Sequence, residues 1–270
     1  MQIVIMTKGR VNNQITVKWL TEVSEYHDVM FCCAPGEDNE LMSRYGHRAV
    51  PFEGSYSDKF QWLLEGHTEP ENSRIAILDD DLTFSIRELA TENKLATVKD
   101  NTERLVPLFN AWELHLGEVV QCGIHPRAMG HQAPLPYKEI GKVIVANGVN
   151  LSELRSLGFP HEWRVDQDPI LADVRLNCEI LSRGQPNRLI TKYCVDWGPS
   201  QAAGGCDYRT AEMQELAVDR LVMDFGPFIK KVIKKPKSYS SGMWAERADY
   251  TGQWKKMHKT GVIAQQKAVN

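Results

Sequence analysis

The sequence lacks any long run of apolar residues. No stretch approaches the ~20 consecutive apolar residues that a bilayer-spanning helix needs, and no basic residue precedes the short apolar run at residues 3–6. Internal repeats and low-complexity tracts are also missing. These absences exclude a membrane-spanning protein and a repeat array. We therefore expect a soluble, cytoplasmic protein with no membrane among its partners.

The 6 cysteines show no Cys-x-x-Cys spacing. A chain of 270 residues, 42% of them hydrophobic, can bury a stable core without disulfide bonds, so the cysteines predict buried thiols in a reducing compartment. With 25% charged residues the composition is that of a folded protein and not of a disordered one. The length predicts one large domain, or one domain with a small appendage.

Positive charge is concentrated near the C-terminus. Residues 226–260 contain 9 lysine or arginine residues and 2 acidic residues, a balance of +7, although the whole chain has a formal net charge of −3. Aromatic side chains lie among these cations, and this mixture suits a nucleic-acid strand. We therefore predict a domain of residues 1–225 and a basic extension of residues 226–270. The alternative is an extension that serves only solubility. The residues predicted to contact nucleic acid are Lys230, Lys231, Lys234, Lys235, Trp244 and Trp254.

Strand and helix patterns alternate along the chain. Apolar runs predict strands at residues 3–6, 28–33, 49–52, 75–78, 118–122 and 188–195. Apolar residues at helical spacing predict helices at residues 14–25, 57–65, 169–181 and 212–228. This alternation predicts an α/β fold with a mixed, mainly parallel sheet flanked by helices. Ligands bind to such sheets beyond the carboxyl ends of the strands.

Three adjacent carboxylates follow the predicted strand at residues 75–78, namely Asp79, Asp80 and Asp81. Like charges at the end of an apolar strand call for a divalent cation, and oxygen donors suit Mg²⁺ or Mn²⁺ shared with substrate phosphates. The sequence therefore predicts a metal held by Asp79 and Asp81, with Asp80 near a nucleotide. The alternative is that Asp81 caps a helix over residues 82–90.

Two classes of enzyme use such an acidic strand end. In a phosphatase of the haloacid-dehalogenase type, Asp79 would be the nucleophile of an Asp-x-Asp-x-Thr motif. In a nucleotide-sugar glycosyltransferase of the GT-A fold, Asp79 and Asp81 would be the metal-binding Asp-x-Asp. A complete β-α-β unit precedes the motif here, and this order favours the glycosyltransferase. We therefore predict a GT-A-like sheet, with the phosphatase as the alternative.

Two further segments fit a glycosyltransferase. Arg48, Asp58 and Lys59 occupy the region where such enzymes contact the base and diphosphate of the donor. Asp166 and Asp168 precede the predicted helix at residues 169–181 in an order typical of the acceptor side. We predict Asp168 as the general base and Asp166 as a group that orients the acceptor or sugar. The alternative is that both aspartates only cap the helix.

Several short blocks together resemble one family. They are TKGR, CAPGE, ILDDDL, GIHPRAMGH, RVDQDPILADVRLNCEILSRG, GGCDYRT and TGQWKK. In these blocks the chain resembles the phage TET-associated glycosyltransferases, GT-A-like enzymes that are proposed to modify hydroxymethylated pyrimidines in phage DNA. The resemblance extends over nearly the whole chain. It implies a nucleotide-sugar donor such as a UDP-sugar, a metal at Asp79 and Asp81, and a hydroxymethyl group on bacteriophage DNA as the acceptor. A C-terminal histidine that closes many such metal sites has no clear counterpart here.

Weaker candidates complete the predicted site. Donor contacts are expected from Thr7, Lys8, Gly9 and Arg10 at the end of the first strand, and from Gly204, Gly205 and Arg209 in a glycine-containing turn. Acceptor contacts are expected from His125, Arg127 and His131. The prediction is thus a metal-dependent glycosyltransferase, and a non-catalytic nucleic-acid-binding protein is a second alternative.

Overall fold

The computed structural model describes residues 1–67, 73–87, 95–98, 102–198, 208–235 and 247–269. Ten strands of these residues form one sheet: β1 (Gln2–Met6), β2 (Asp28–Cys33), β3 (Arg48–Pro51), β4 (Arg74–Asp79), β5 (Thr83–Arg87), β6 (Leu95–Thr97), β7 (Gln121–Pro126), β8 (Tyr137–Glu139), β9 (Ala146–Asn150) and β10 (Asn187–Asp196). A separate hairpin is made of β11 (Ile229–Lys234) and β12 (Arg247–Gly252). The helices are α1 (Asp38–Tyr45), α2 (Tyr56–Leu64), α3 (Val106–His115), α4 (Leu151–Ser156), α5 (Ala172–Ser182), α6 (Ala211–Phe225) and α7 (Trp254–Val269).

The strand order of the sheet is β3-β2-β1-β4-β9-β7-β10-β5-β6, and β8 pairs with β10. Strands β3, β2, β1 and β4 are parallel neighbours, and β7 is parallel to β10. Strand β9 runs antiparallel between β4 and β7. Strands β7 and β10 therefore run in the same direction as β1 to β4. The predicted fold class, a mixed and mainly parallel sheet flanked by helices, is confirmed. The carboxyl ends of β1 and β4 therefore meet at one edge.

Each face of the sheet is covered because strand side chains alternate between the two faces. Ile3, Ile5 and Phe31 share one buried cluster with residues of α1 and α3. Val4 and Met30 point to the other face and share a second cluster with residues of α2, α4 and α5. The apolar run of β1 is buried on both sides, which is why it contains no polar residue between Ile3 and Met6.

The C-terminal extension packs onto the second helical layer. Ile229 of β11, Tyr250 of β12 and Met257 of α7 share a third buried cluster with residues of α5 and α6. The hairpin and α7 therefore bury apolar surface against the rest of the chain, although their other faces are basic. The division into a domain of residues 1–225 and an extension of residues 226–270 stays a prediction.

Two elements differ from the sequence-based expectation. The predicted helix at residues 14–25 is wrong, because two short 3₁₀ turns, Thr16–Trp19 and Val23–Glu25, occupy the segment. The hydroxyl of Thr16 donates to the Asp79 carbonyl at 2.6 Å, so distant partners set this backbone. Residues 83–87 form strand β5 and not a helix, so Asp81 is not a helix cap.

A network of buried amide side chains joins the central strands to two connecting segments. Asn187 Nδ2 donates to the Gly141 carbonyl at 2.9 Å and to Asn177 Oδ1 at 2.8 Å. Asn177 Nδ2 donates in turn to the carbonyls of Val143 at 2.6 Å and Asp173 at 2.7 Å. Every polar atom of the Asn177 side chain is thus paired. Asn177 is fully buried, and its bonds fix Val143 against the first turn of α5.

The five cysteines that the structure describes, Cys32, Cys33, Cys122, Cys178 and Cys194, are buried free thiols, as predicted, and Cys206 lies outside the described residues. None of the helices in the described ranges combines the length and the apolar character that crossing a bilayer requires.

Replacing Asn187 with alanine should lower the free energy of unfolding by about 2–4 kcal/mol, because several buried groups of the network lose their partner. Urea unfolding followed by circular dichroism would measure the loss. Asn12→Ala, at an exposed position, is the control and should change stability by less than about 0.5 kcal/mol. Equal stability of the two variants would contradict the importance of the network.

Candidate functional site

A cavity of about 390 Å³ opens at the carboxyl ends of β1 and β4. The acidic residues after β4 form one wall, the segment after β1 and the start of α2 form a second, and the 142–145 segment, the start of α5 and the C-terminal hairpin form a third. Its polar lining residues are Thr7, Lys8, Arg10, Ser55, Tyr56, Lys59, Asp79, Asp80, Asp81, Lys142, Asp173, Trp197, Tyr208, Arg209, Gln214, Lys234, Arg247, Asp249 and Tyr250. The site thus lies where ligands bind to parallel sheets.

Asp80 anchors the segment that follows β1. Its carboxylate accepts a hydrogen bond from the Thr7 hydroxyl at 2.6 Å and pairs with the Arg10 guanidinium at 2.7 Å. Burial raises the pKa of Asp80, although Thr7 and Arg10 oppose the shift. The Arg10 guanidinium also reaches Asp81 Oδ2 at 3.2 Å. Asp80 therefore holds the first and second walls together.

Asp79 has a different environment. Burial raises its pKa well above the usual value, and the nearby carboxylates of Asp81 and Asp173 raise it further. Within the described ranges, no side chain donates a hydrogen bond to this carboxylate. Only the charge of Arg209 is among the causes that lower this pKa, so the ionised form of Asp79 is disfavoured and a bound cation would stabilise it.

The donor set fits a divalent metal that is shared with a substrate. Asp79 and Asp81 supply oxygen atoms, and backbone at Gly198 lies so close that an added Cβ would come 2.9 Å from Asp81 Oδ2. In the part of the chain that the structure describes, no three acidic, histidine or cysteine residues group closely enough to hold a metal by themselves. Mg²⁺ and similar ions commonly use one or two carboxylates and take their other ligands from water and phosphates.

Lys59 is buried at the base of the second wall. Its ammonium donates to the carbonyls of Thr7 at 3.0 Å and Cys32 at 3.3 Å, at the ends of β1 and β2. Burial lowers the pKa of Lys59. The sequence predicted Lys59 as a donor contact, and the structure places it in the cavity lining, where it also fixes the ends of two strands.

The third wall contains residues that the sequence did not select. Lys142 follows β8, Asp173 lies in the first turn of α5, and Tyr250 comes from β12. The Lys142 ammonium lies 4.5 Å from the centre of the Tyr250 ring. Burial lowers the pKa of Lys142 and raises that of Asp173. An acid at a helix start was a usable signal for Asp173, whereas no local motif indicates Lys142.

Three predicted donor residues lie outside the cavity lining. Arg48 begins β3 and pairs with Asp28 at 3.5 Å, because the start of a parallel strand lies at the edge opposite the site. The Asp58 carboxylate accepts a hydrogen bond from the Ser55 backbone at 2.8 Å and completes the capping box of α2. Gly9 adopts φ 70° and donates its amide to Glu37 at 2.6 Å. Asp58 and Gly9 therefore stabilise segments next to the cavity, whereas Arg48 is distant from it.

Asp166 and Asp168 also lie outside the lining of the cavity. Asp166 pairs with Arg164 at 2.7 Å, and this hydrogen-bonded partner lowers its pKa. Asp168 is buried 3.0 Å from Arg220, and burial raises its pKa. Neither residue caps α5, which begins at Ala172. The catalytic roles predicted for both aspartates stay predictions.

The predicted acceptor residues are dispersed. His125, at the end of β7, shares a hydrogen bond of 2.7 Å with the Pro126 carbonyl, and neither it nor Arg127 lines the cavity. His131 lies in a short 3₁₀ segment, Arg127–Gln132. Trp254 is half-buried at the start of α7. Gly204, Gly205 and Trp244 lie outside the described residues.

No protein-family model matches the chain, and no characterised protein matches it in sequence. Among solved structures it is similar to CMP:2-keto-3-deoxy-manno-octonic acid synthetase complexed with CTP, at 10% identity and a TM-score of 0.40, over 70% of this chain and 88% of that chain. A cytidylyltransferase from Leptospira borgpetersenii serovar Hardjo-bovis is similar at 12% identity and a TM-score of 0.34, over 58% of this chain and 63% of its own. Similarity at this level identifies neither a substrate nor a reaction.

Asp79→Asn should stabilise the metal-free protein and abolish its stabilisation by metal. The folded pKa of Asp79 is raised, so its contribution to stability is complete below about pH 4 and is lost as pH rises through the folded pKa. Asparagine carries no charge and removes this loss. The Tm of the variant in EDTA should therefore exceed that of wild type by an amount that grows as pH rises above about 4.

Scanning calorimetry with EDTA and then with Mn²⁺ would measure both effects. Asp28→Asn, a half-exposed position at the other edge of the sheet, is the control and should leave the response to Mn²⁺ intact. A lower Tm for Asp79→Asn than for wild type at pH 8 without metal would contradict the destabilising role of this charge.

Proposed function

We propose that the protein is a metal-dependent glycosyltransferase that moves a sugar from a nucleotide-sugar donor, such as a UDP-sugar, to a hydroxymethylated pyrimidine in DNA. The observation that carries the donor half of this proposal is one cavity in which an acidic strand end faces several cations. Asp79 and Asp81 line this cavity together with Lys8 and Arg209, and the Arg209 charge lowers the pKa of Asp79. A metal with a diphosphate between these two sets of charges satisfies both.

The cavity next to the predicted metal site has lining residues and a volume that suit a nucleotide-sugar donor. Lys8 lies 5.3 Å from the centre of the Tyr208 ring, beside the cavity. The Tyr208 hydroxyl accepts a hydrogen bond from the Tyr56 backbone at 2.8 Å and donates to the Pro169 carbonyl at 3.2 Å. These bonds join the start of α2 to the segment before α5, so the cavity is held open at a width set by the fold. A volume of about 390 Å³ suits a small-molecule ligand.

The positive charges in the cavity would stabilise the diphosphate that leaves during sugar transfer. A metal held by Asp79 and Asp81 would supply electrostatic stabilisation of the departing diphosphate. Lys8 and Arg209 add positive charge where the phosphates would lie, and Arg10 is fixed by Asp80 beside them. Arg10 needs little reorganisation when the bond to the sugar breaks, because Asp80 and Asp81 already hold its guanidinium.

The DNA half of the proposal depends on the resemblance and on the extension. Lys230 and Lys235 are exposed, and no carboxylate in the described ranges pairs with them. Lys255, Lys256 and Lys259 are exposed on α7. The same hairpin contributes lining residues to the cavity, so phosphate contacts along it would bring an extruded base toward the site.

Donor binding should require Asp81. A panel of nucleotide sugars tested by thermal shift with Mn²⁺ should raise the Tm of wild type, and a saturating donor at 100 times its Kd stabilises by about 2.7 kcal/mol. Asp81→Asn should remove this shift, because metal and diphosphate lose one oxygen ligand, while Asp28→Asn retains it. A full shift in Asp81→Asn would contradict the metal assignment, and release of phosphate from simple phosphate esters would favour the phosphatase.

DNA binding should depend on Lys230 and Lys235 more than on Lys231. Lys231 already pairs with Glu215 at 2.7 Å and Asp219 at 2.8 Å. Replacing Lys230 and Lys235 with glutamine should reduce the slope of log K against log salt by up to about two units. Fluorescence anisotropy with duplex and single-stranded oligonucleotides would measure the slopes. Lys231→Gln is the control, and an equal effect of the two changes would contradict this order.

A further inference from the structure

Backbone strain is concentrated around two lining residues of the third wall. Three non-glycine residues in the described ranges have positive φ: Ile140 at 57°, Val145 at 57° and Leu171 at 67°. The first two lie on either side of Lys142, and the third lies two residues before Asp173. Each such conformation costs on the order of 1–3 kcal/mol and persists only where surrounding structure enforces it. Strain of this kind clusters at functional sites.

The buried amide network bonds to the segments that contain these residues. Asn177 Nδ2 donates to the carbonyl of Val143, next to Lys142, and to the carbonyl of Asp173 itself. Asn187 bonds to the amide and the carbonyl of Gly141 at 2.9 Å. Lys142 and Asp173 belong to segments that are distant in sequence, yet one set of hydrogen bonds fixes their relative position. This arrangement preorganises two side chains for a ligand.

Lys142 and Asp173 influence each other electrostatically, but no ion pair joins them. One oxygen of Asp173 accepts a hydrogen bond from the Val174 amide at 2.8 Å, and the carboxylate lines the cavity. The Lys142 ammonium is turned onto the Tyr250 ring. A carboxylate and an ammonium that line the same cavity suit a hydroxyl group, because its hydrogen can bond to the carboxylate and its oxygen to the ammonium.

We propose that Asp173 accepts the proton of the acceptor hydroxyl and that Lys142 binds the oxygen of that hydroxyl. This inference rests on the proposed function and replaces Asp168 in the role of base. The hydroxyl oxygen forms a bond to the anomeric carbon of the sugar as its proton passes to Asp173. The bond from that carbon to the diphosphate breaks, and its electron pair leaves with the nucleoside diphosphate. The Asp173 proton is later released to solvent.

Asp173 lies in the same cavity as the two predicted metal ligands, Asp79 and Asp81. Its charge raises the pKa of Asp79, so these two carboxylates are near each other. An acceptor hydroxyl beside Asp173 would lie close to the sugar of a donor whose diphosphate is bound at Asp79.

The test compares Asp173→Asn with Asp168→Asn on the full chain. Transfer from a nucleotide sugar to an oligonucleotide with 5-hydroxymethylcytosine or 5-hydroxymethyluracil is measured in single turnovers, and donor affinity is measured by calorimetry with Mn²⁺. Asp173→Asn should lower the rate of transfer by about 100-fold or more, and donor Kd should change by less than about threefold. Asp168→Asn should keep most of the rate.

Lys142→Met provides a readout that does not depend on the folding of Asp173→Asn. The groups that face Asp173 are Lys142, Arg209, Asp79 and Tyr250. The Lys142 charge lowers the pKa of Asp173, so its removal should move the acidic limb of the pH–rate profile to higher pH. The acceptor KM should rise as well.

The outcomes separate the two proposals. If wild type binds no nucleotide sugar with Mn²⁺, the proposed function fails and this inference fails with it. If donors bind to all variants and Asp173→Asn retains most of the transfer rate, the inference alone is overturned. Loss of transfer in Asp168→Asn but not in Asp173→Asn would return the role of base to Asp168. An unshifted acidic limb in Lys142→Met would overturn the pairing of Lys142 with Asp173.

Discussion

Mutual repulsion among the carboxylates at the end of β4 is the constraint that organises the site. The three adjacent aspartates lie in different environments. Thr7 and Arg10 offset the charge of Asp80, and Arg10 also reaches Asp81. Asp79 differs, because burial and the charges of Asp81 and Asp173 raise its pKa and only the charge of Arg209 is among the causes that lower it. The three adjacent carboxylates therefore differ in how far the fold compensates their charge, and Asp79 is the one that a bound cation would stabilise most.

Buried hydrogen bonds fix the positions of the segments that form the cavity walls. Lys59 bonds to carbonyls at the ends of β1 and β2, and Tyr208 joins α2 to the segment before α5. Asn177 and Asn187 fix the third wall from behind. Buried polar groups of this kind contribute little net stability when they are satisfied, but they are costly to break. They therefore specify where the lining side chains lie.

Local patterns predicted the first two walls. The apolar runs of β1 and β4 are continuous because both strands are buried on both faces, and the topology of parallel strands brings their ends together. The prediction of a helix at residues 14–25 is wrong because the side chains of Gln14 and Thr16 bond outside this segment. These bonds override the helical spacing of the apolar residues. Periodicity reports on burial of one face, and it carries no information about bonds of that kind.

Local sequence patterns did not predict which residues form the third wall of the cavity. Sequence selected Asp168, whereas the cavity contains Asp173, because α5 begins at Ala172 and its first turn faces the strand ends. A shift of a few residues in a helix start changes which acid faces a cavity. Lys142 has no local signal, since its place depends on amides contributed by β10 and α5.

The extension gives the cavity a part that no sheet-and-helix core would provide. Its hairpin contributes Tyr250 and Asp249 to the lining, and α7 packs against α5. The extension therefore touches the wall that contains Asp173 and also presents exposed lysines outward. The hairpin therefore joins a basic outer surface to the wall of the cavity that contains Tyr250, so one element of the fold shapes both surfaces.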